Sequence, residues 1–311
     1  MKKKLVALVA AFVSLAAGSD GFETRKARVR ALLERQEFNA ALEQATSIQR
    51  EWADDIVAYQ LIAEAQLGLG NYEQAEAAIQ WMLDLRIGKA DSEGWLLVAR
   101  FREVTGDVDG AIEAANLAYG QLAPAQDRNR RVLLAYLGRL HYLAGRLDIA
   151  EQALGQALAG GENAPEALET LARVRLARGR RAEAVRILLQ LCQSSAHPRY
   201  LYLLAETTRD PADFAAFEQA ARKCASTEDK ANRDLTLYLA GPGKRPAEAL
   251  EIARRESALR HDVYTLDALA VALFASGDVP RARELMKKVL AVGTRDPDIL
   301  AHAARIGVRP Q

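Results

Sequence analysis

Small residues punctuate this chain at a nearly constant interval, and that periodicity constrains its fold more than any other feature. The clearest unit runs from Ile56 to Lys89, with Gly70-Asn71-Tyr72-Glu73-Gln74-Ala75 at its middle. Upstream, Tyr59, Ile62, Ala63 and Gln66 share one helix face; downstream, Ala75, Ile79 and Met82 do the same. Gly70 and Asn71 suit the left-handed conformation that ends one helix before Tyr72 opens the next. With the turn residue as a ruler, copies fall at Gln36, Gly70, Gly106, Gly145, Gly179, about Pro211, about Lys244 and Gly277. The interval is therefore about 34 residues. A helix–turn–helix unit of that size cannot bury its apolar face alone, so neighbouring units must stack.

Composition agrees with such a stack. Half of the 311 residues (50%) are hydrophobic, enough for a large apolar interior, while only 6% are aromatic, which suits closely packed helices. No stretch sustains the period-two alternation of β-branched residues that a strand needs. The formal net charge of +1 gives no reason to expect nucleic acid as a ligand.

The repeating residues carry a family likeness. Trp95-x2-Val98-Ala99-x2-Arg102 is followed by Ala111, and Leu134-x2-Leu137-Gly138-x2-His141 by Gly145, Ala150 and Leu154. Leu168, Leu171, Ala172, Gly179, Ala184 and Leu188 form a further copy; so do Leu266, Leu269, Ala270, Leu273, Gly277, Ala282 and Met286. Each copy sets Ala or Gly where two helices cross and a larger apolar group a turn away. This pattern resembles the tetratricopeptide repeat (TPR). The resemblance implies an all-α fold, a right-handed superhelical TPR-type α-solenoid of about eight helix–turn–helix repeats. The repeats are clearest over 56–196 and 263–296 and degenerate over about 197–262, where Asp210-Pro211 and Gly241-Pro242-Gly243 replace the clean turns. A C-terminal capping helix is expected from Pro297 to Ile306, with Asp296 as its N-cap.

Residues 1–18 have the layout of a secretory signal peptide: Lys2, Lys3 and Lys4, an apolar run from Leu5 to Ala17, then small residues. The run is short for a bilayer span, which needs about 20 residues. Cleavage is expected near Gly18, leaving residues 19–311 as the solenoid, periplasmic or at the cell surface, with no integral membrane span after cleavage; a segment kept as an uncleaved anchor is the alternative. Ser19 stands where lipid attachment would require cysteine.

Catalytic patterns are few. His141, His197, His261 and His302 fall in different units with no ligand partner at i+4, and His141 occupies an aromatic repeat position, so it is read as core filling. Gly243-Lys244 resembles part of a phosphate loop, yet Arg245 replaces the metal-binding Ser or Thr, so a turn is expected. Cys192 and Cys224 lie about one repeat apart. Neighbouring helix axes are about 8–10 Å apart and a disulfide needs Cα atoms within about 7 Å, which favours free thiols over a bridge. No enzyme, metal or cofactor is expected.

The expected site is the groove that the first helix of each unit lines in the proteins this one resembles. The residue after each small crossing position points into it: Arg30, Glu64, Arg100, Arg139 and Arg173. Three successive arginines would meet carboxylates of a peptide laid along the groove. Leu96, Val132, Tyr142 and Leu176 would hold apolar side chains beside them. Local pairing, with Glu169 four residues before Arg173 and Glu103 three after Arg100, is the competing reading. The expected function is a non-enzymatic scaffold or adaptor of the cell envelope that binds a protein or peptide segment, acidic by this logic. A self-assembling structural or envelope-assembly subunit is the alternative. Oligomeric state is not fixed by these residues.

Overall fold

A computed structural model describes residues 21–86, 91–159, 164–225 and 232–310; the expected signal peptide lies outside them. The described residues are helical, with 17 helices, no strand, and consecutive helices packed in antiparallel pairs. The chain comprises two compact units, Met1–Lys89 and Ala90–Gln311.

The first unit holds α1 (21–34), α2 (Phe38–Glu51), α3 (Ile56–Leu69) and α4 (Tyr72–Arg86). Its core gathers Val29, Leu32, Leu33, Ala41, Ala45, Ile48, Ala58 and Leu61. The second unit begins with α5 (Ser92–Val104), α6 (Val108–Gly120), α7 (Asp127–Leu143), α8 (Leu147–Leu158), α9 (Pro165–Ala177) and α10 (Arg181–Ser194). It continues through α11 (Pro198–Thr208), α12 (Pro211–Ala225), α13 (Arg233–Leu239) and α14 (Pro246–Ser257) to α15 (Val263–Ala275), α16 (Val279–Ala291) and α17 (Pro297–Ile306).

Local chemistry sets these boundaries. Aspartates open helix after helix: Asp55, Asp91, Asp107, Asp262, Asp278 and Asp296 each accept a backbone N–H of the first turn, satisfying donors that have no partner inside the helix. Proline stands in the first turn of α9, α11, α12, α14 and α17, where its missing N–H costs nothing. A left-handed residue stands in the turn after the first helix of each pair, at Gln36, Gly70, Gly106, Gly145, Gly179, Arg209, Gly243 and Gly277. Six match the sequence ruler. In the degenerate stretch the turn residues are Arg209 and Gly243 instead of Pro211 and Lys244, because Pro211 already begins α12 and Lys244 lies just beyond the left-handed glycine. That stretch also contains the shortest of the helices that stack in pairs, α13, at 7 residues.

Small residues meet large ones at the crossings, as the repeat pattern requires. A Cβ on Gly138 of α7 would lie 2.6 Å from Leu154 of α8, a side chain with no exposed surface. Gly138→Ala should therefore destabilise the second unit by about 1–2 kcal/mol, the overpacking cost of about 1–3 kcal/mol offset by about 1 kcal/mol of helix propensity. Urea unfolding would read this, and an unchanged midpoint would mean that the crossing has room to relax. Cys192 on α10 and Cys224 on α12 are half-buried and not joined by a disulfide, and burial pushes the Cys192 thiol up to about 11.

The second unit curls until its ends meet. Gly106, in the α5–α6 turn, abuts Gly293 after α16, so closely that a Cβ on Gly106 would sit 1.9 Å from the Gly293 carbonyl oxygen. Helix α17 packs against α15 and α16 through buried Ile299, Ala303 and Ile306, which covers the apolar end of the stack. Its first turn reaches the inner wall formed by α7 and α9.

Candidate functional site: an arginine wall facing its own carboxylates

The inner wall of the second unit is built from first helices of successive repeats. Arg139 of α7 donates from Nε to Glu103 of α5 at 2.9 Å, and its Nη2 lies 3.5 Å from the Tyr264 hydroxyl and 3.9 Å from Asp296. One repeat later, Arg173 of α9 pairs with Glu169 at 3.2 Å and with Asp298 at 3.0 Å. Arg199 of α11 grips the same Glu169 at 2.9 Å, and Arg233 of α13 pairs with Asp267 at 2.9 Å. Asp267, with no exposed surface, also faces Nδ1 of His302 at 2.9 Å.

Electrostatics follow from this packing. Burial alone would lower the Arg139 pKa, but Glu103, Tyr264 and Asp296 outweigh it and hold the guanidinium above its ordinary value. Arg173 behaves likewise beside Asp298 and Glu169. Burial pushes the Tyr264 phenol up to about 12, against the opposing pull of Arg139. Against the desolvation that would raise them, neighbouring arginines hold Glu169 and Asp298 below the usual carboxylate range, whereas burial holds Asp234 above it.

A pH dependence follows. Glu169 and Asp298 titrate at 4.5 and 3.8 when unfolded, and lower when folded. Their contribution is complete above those unfolded values and is lost as pH falls through the folded ones; Asp234 and Glu256, both raised, act in the opposite sense. Asp298→Asn is expected to flatten the loss of stability below about pH 4. Thermal melts of both proteins from about pH 6 to about pH 3 measure this, and parallel curves would remove Asp298 from the linkage.

The sequence-expected residues separate into groups. Arg139 and Arg173 come together on the inner wall, each with two carboxylate partners. Arg100 is exposed on α5, and its charge, with those of Glu103 and Arg139, bears on the buried Tyr136 hydroxyl. Glu103 pairs with Arg139 across the helices, whereas the expected Glu169–Arg173 pair forms within α9. Tyr142 sits beside the Arg173–Asp298 pair while its ring packs against the Ala150–Leu154 core. Leu96 and Leu176 pack against cores, on Ala118 and Leu133 in one case and Leu168 and Leu188 in the other. Val132 is 59% exposed. Arg30 and Glu64 belong to the first unit. Lys244 sits in a turn, donates to the Tyr238 hydroxyl at 2.9 Å and lies over the Tyr238 ring.

Sequence reasoning missed Arg199, Arg233, Asp267 and the acids of α17. Arg199 and Arg233 stand at helix starts, not behind a small crossing residue. Their separation of about one repeat, matching that of Arg139 and Arg173, is the signal that could have found them.

No family model and no curated protein matches this sequence. Among solved structures, a thermophilic TPR protein of Thermus thermophilus is similar over 61% of this chain and 100% of its own, with TM-score 0.52 and 20% identity. A chain of the APC/C hetero-tetramer Cut9–Hcn1 is similar over 90% of this chain and 48% of its own, so this chain spans about half its length, with TM-score 0.48 and 16% identity. A tetratricopeptide repeat protein from Parabacteroides merdae ATCC 43184 is similar over 92% of this chain and 99% of its own, at TM-score 0.46 and 14% identity.

Proposed function

Because the chain folds as a tetratricopeptide-repeat α-solenoid, we propose that it is a non-enzymatic protein-interaction scaffold of the cell envelope that receives an acidic segment of a partner along the arginine wall of its second unit. One observation carries the reading: arginines from α7, α9, α11 and α13 converge on carboxylates, including two carried in by α17, a helix far away in sequence. A wall that engages carboxylates from a remote segment has the charge, spacing and bidentate forks to engage those of another chain. The envelope location rests on Lys2 to Lys4 and the apolar run Leu5–Ala17; no described helix is long and apolar enough to cross a membrane.

Affinity capture from an envelope extract, with the chain from Ser19 onward as bait and cross-linking of the retained protein, tests the proposal. Cross-links are expected on α5, α7 and α9, and capture should fall with Arg100→Glu, an exposed position. Cross-links confined to α6, α8 and α10 would overturn it. Arg139→Glu is unsuitable here, because it would set a carboxylate against Glu103 and Asp296.

A further inference from the structure

We infer that the Asp296-Pro297-Asp298 turn is a resident occupant of the arginine wall, and that the partner displaces it with a like motif: two carboxylates two residues apart in the first turn of a helix. This deepens the proposed function and rests on it.

The two aspartates sit differently from the other acids of the wall. Oδ1 of Asp296 caps α17, accepting the N–H groups of Asp298 and Ile299 at 2.9 and 3.4 Å, while its Oδ2 faces Arg139 at 3.9 Å. Asp298 accepts at Oδ2 from Nη1 of Arg173 at 3.0 Å and stays 47% exposed, at the rim of the network. The turn thus presents one acid to each of two arginines one repeat apart.

Exchange is feasible because neither arginine depends on α17 alone. Arg139 keeps Glu103 at 2.9 Å and Arg173 keeps Glu169 at 3.2 Å when the turn leaves, so no buried guanidinium is stranded without a counter-charge. Asp298 is the accessible end of the turn, 47% exposed against 5% for Glu169, whereas Asp296, at 14%, lies about as deep as Glu103, at 12%, so displacement starts at Asp298. Beyond the turn, Ile299, Ala303 and Ile306 hold the body of α17 to its neighbours, and Arg283 donates to the Ile306 carbonyl oxygen at 3.1 Å. Fraying of the first turn is therefore sufficient to open the site, and a partner then competes with a tethered rival at high effective concentration.

The probe is a labelled synthetic peptide of the chain's own sequence from Thr294 to Ile306, titrated by fluorescence anisotropy into full-length protein and its Asp296→Asn/Asp298→Asn variant. Asparagine retains the capping oxygen, so α17 keeps its N-cap. The variant is expected to bind the probe at least about ten-fold more tightly than the parent, since its wall is no longer occupied. Adding Arg173→Gln, or replacing both aspartates of the probe with asparagine, should abolish the gain. Asp298→Asn alone, at a half-exposed position outside the cap, should give part of the gain and keeps the test open if the double variant loses helicity. Equal binding to parent and variants, or binding indifferent to Arg173→Gln, overturns the inference. Cross-links of a captured partner on α5, α7 and α9 would in that case leave the arginine wall as a partner surface without α17 as its rival.

Discussion

Gly106→Ala should destabilise the second unit by about 3 kcal/mol, one of the two largest effects expected of a single substitution in this protein. Two causes add. Gly106 has φ +87°, a conformation that side-chain-bearing residues adopt only under strain, costing about 1–3 kcal/mol. Its new Cβ would also lie 1.9 Å from a backbone carbonyl oxygen, that of Gly293, which cannot rotate away as a flexible side chain could. Gly293→Ala meets the same obstacle from the other side, with φ +99° and a Cβ 2.3 Å from the Thr105 carbonyl oxygen. The contact joins the α5–α6 turn to the α16–α17 joint, so the damage should concentrate there. Urea unfolding gives the loss, and amide hydrogen exchange should rise first in α16 and α17. Gly145→Ala is the control, since it shares the positive φ but its Cβ would meet open space. If Gly106→Ala costs no more than that control, the two ends of the second unit do not hold each other.

The other large effect is expected at Asp267. It is buried with no exposed surface and joins Arg233 of α13, at 2.9 Å, to His302 of α17, also at 2.9 Å. Asp267→Ala removes the carboxylate paired with Arg233, leaving the charges of Asp234 and Asp296 to act on the guanidinium; breaking a buried pair typically costs about 3–5 kcal/mol. The lower end, about 3 kcal/mol, is expected here because Arg233 keeps 23% of its side-chain surface exposed. Asp267→Asn keeps an acceptor for both partners and should recover roughly half of the loss. Arg233→Met/Asp267→Leu removes both members of the pair and should be less harmful than Asp267→Ala alone. Equal stability of the Ala and Asn variants would assign Asp267 a packing role in place of an electrostatic one.

Much of the architecture is legible residue by residue. Gly70, Gly145 and Gly277 announce turns because few other residues adopt a left-handed backbone. Asp296 before Pro297 announces a helix start because one supplies the cap and the other needs no donor. Gly138 opposite Leu154 announces a close crossing because a small group must face a large one. The weak stretch is equally instructive. Arg209 takes the left-handed position without being glycine, so the turn there hides from any ruler built on glycine. Of the site, the equivalent repeat positions of Arg139 and Arg173 were legible, and so was the local Glu169–Arg173 pair. The remaining partners of both arginines were not.

The reason is the range of the forces involved. Helix periodicity, caps and turn residues act within one repeat or between neighbours, so the amino-acid order by itself determined the all-helical class and the period. Where the arginines end up depends on small rotations accumulated repeat after repeat, which no single motif records. Only the tertiary structure brought Arg139 to Tyr264 and Arg173 to Asp298, each pair 125 residues apart, because only the summed curvature carries α17 across to α7 and α9.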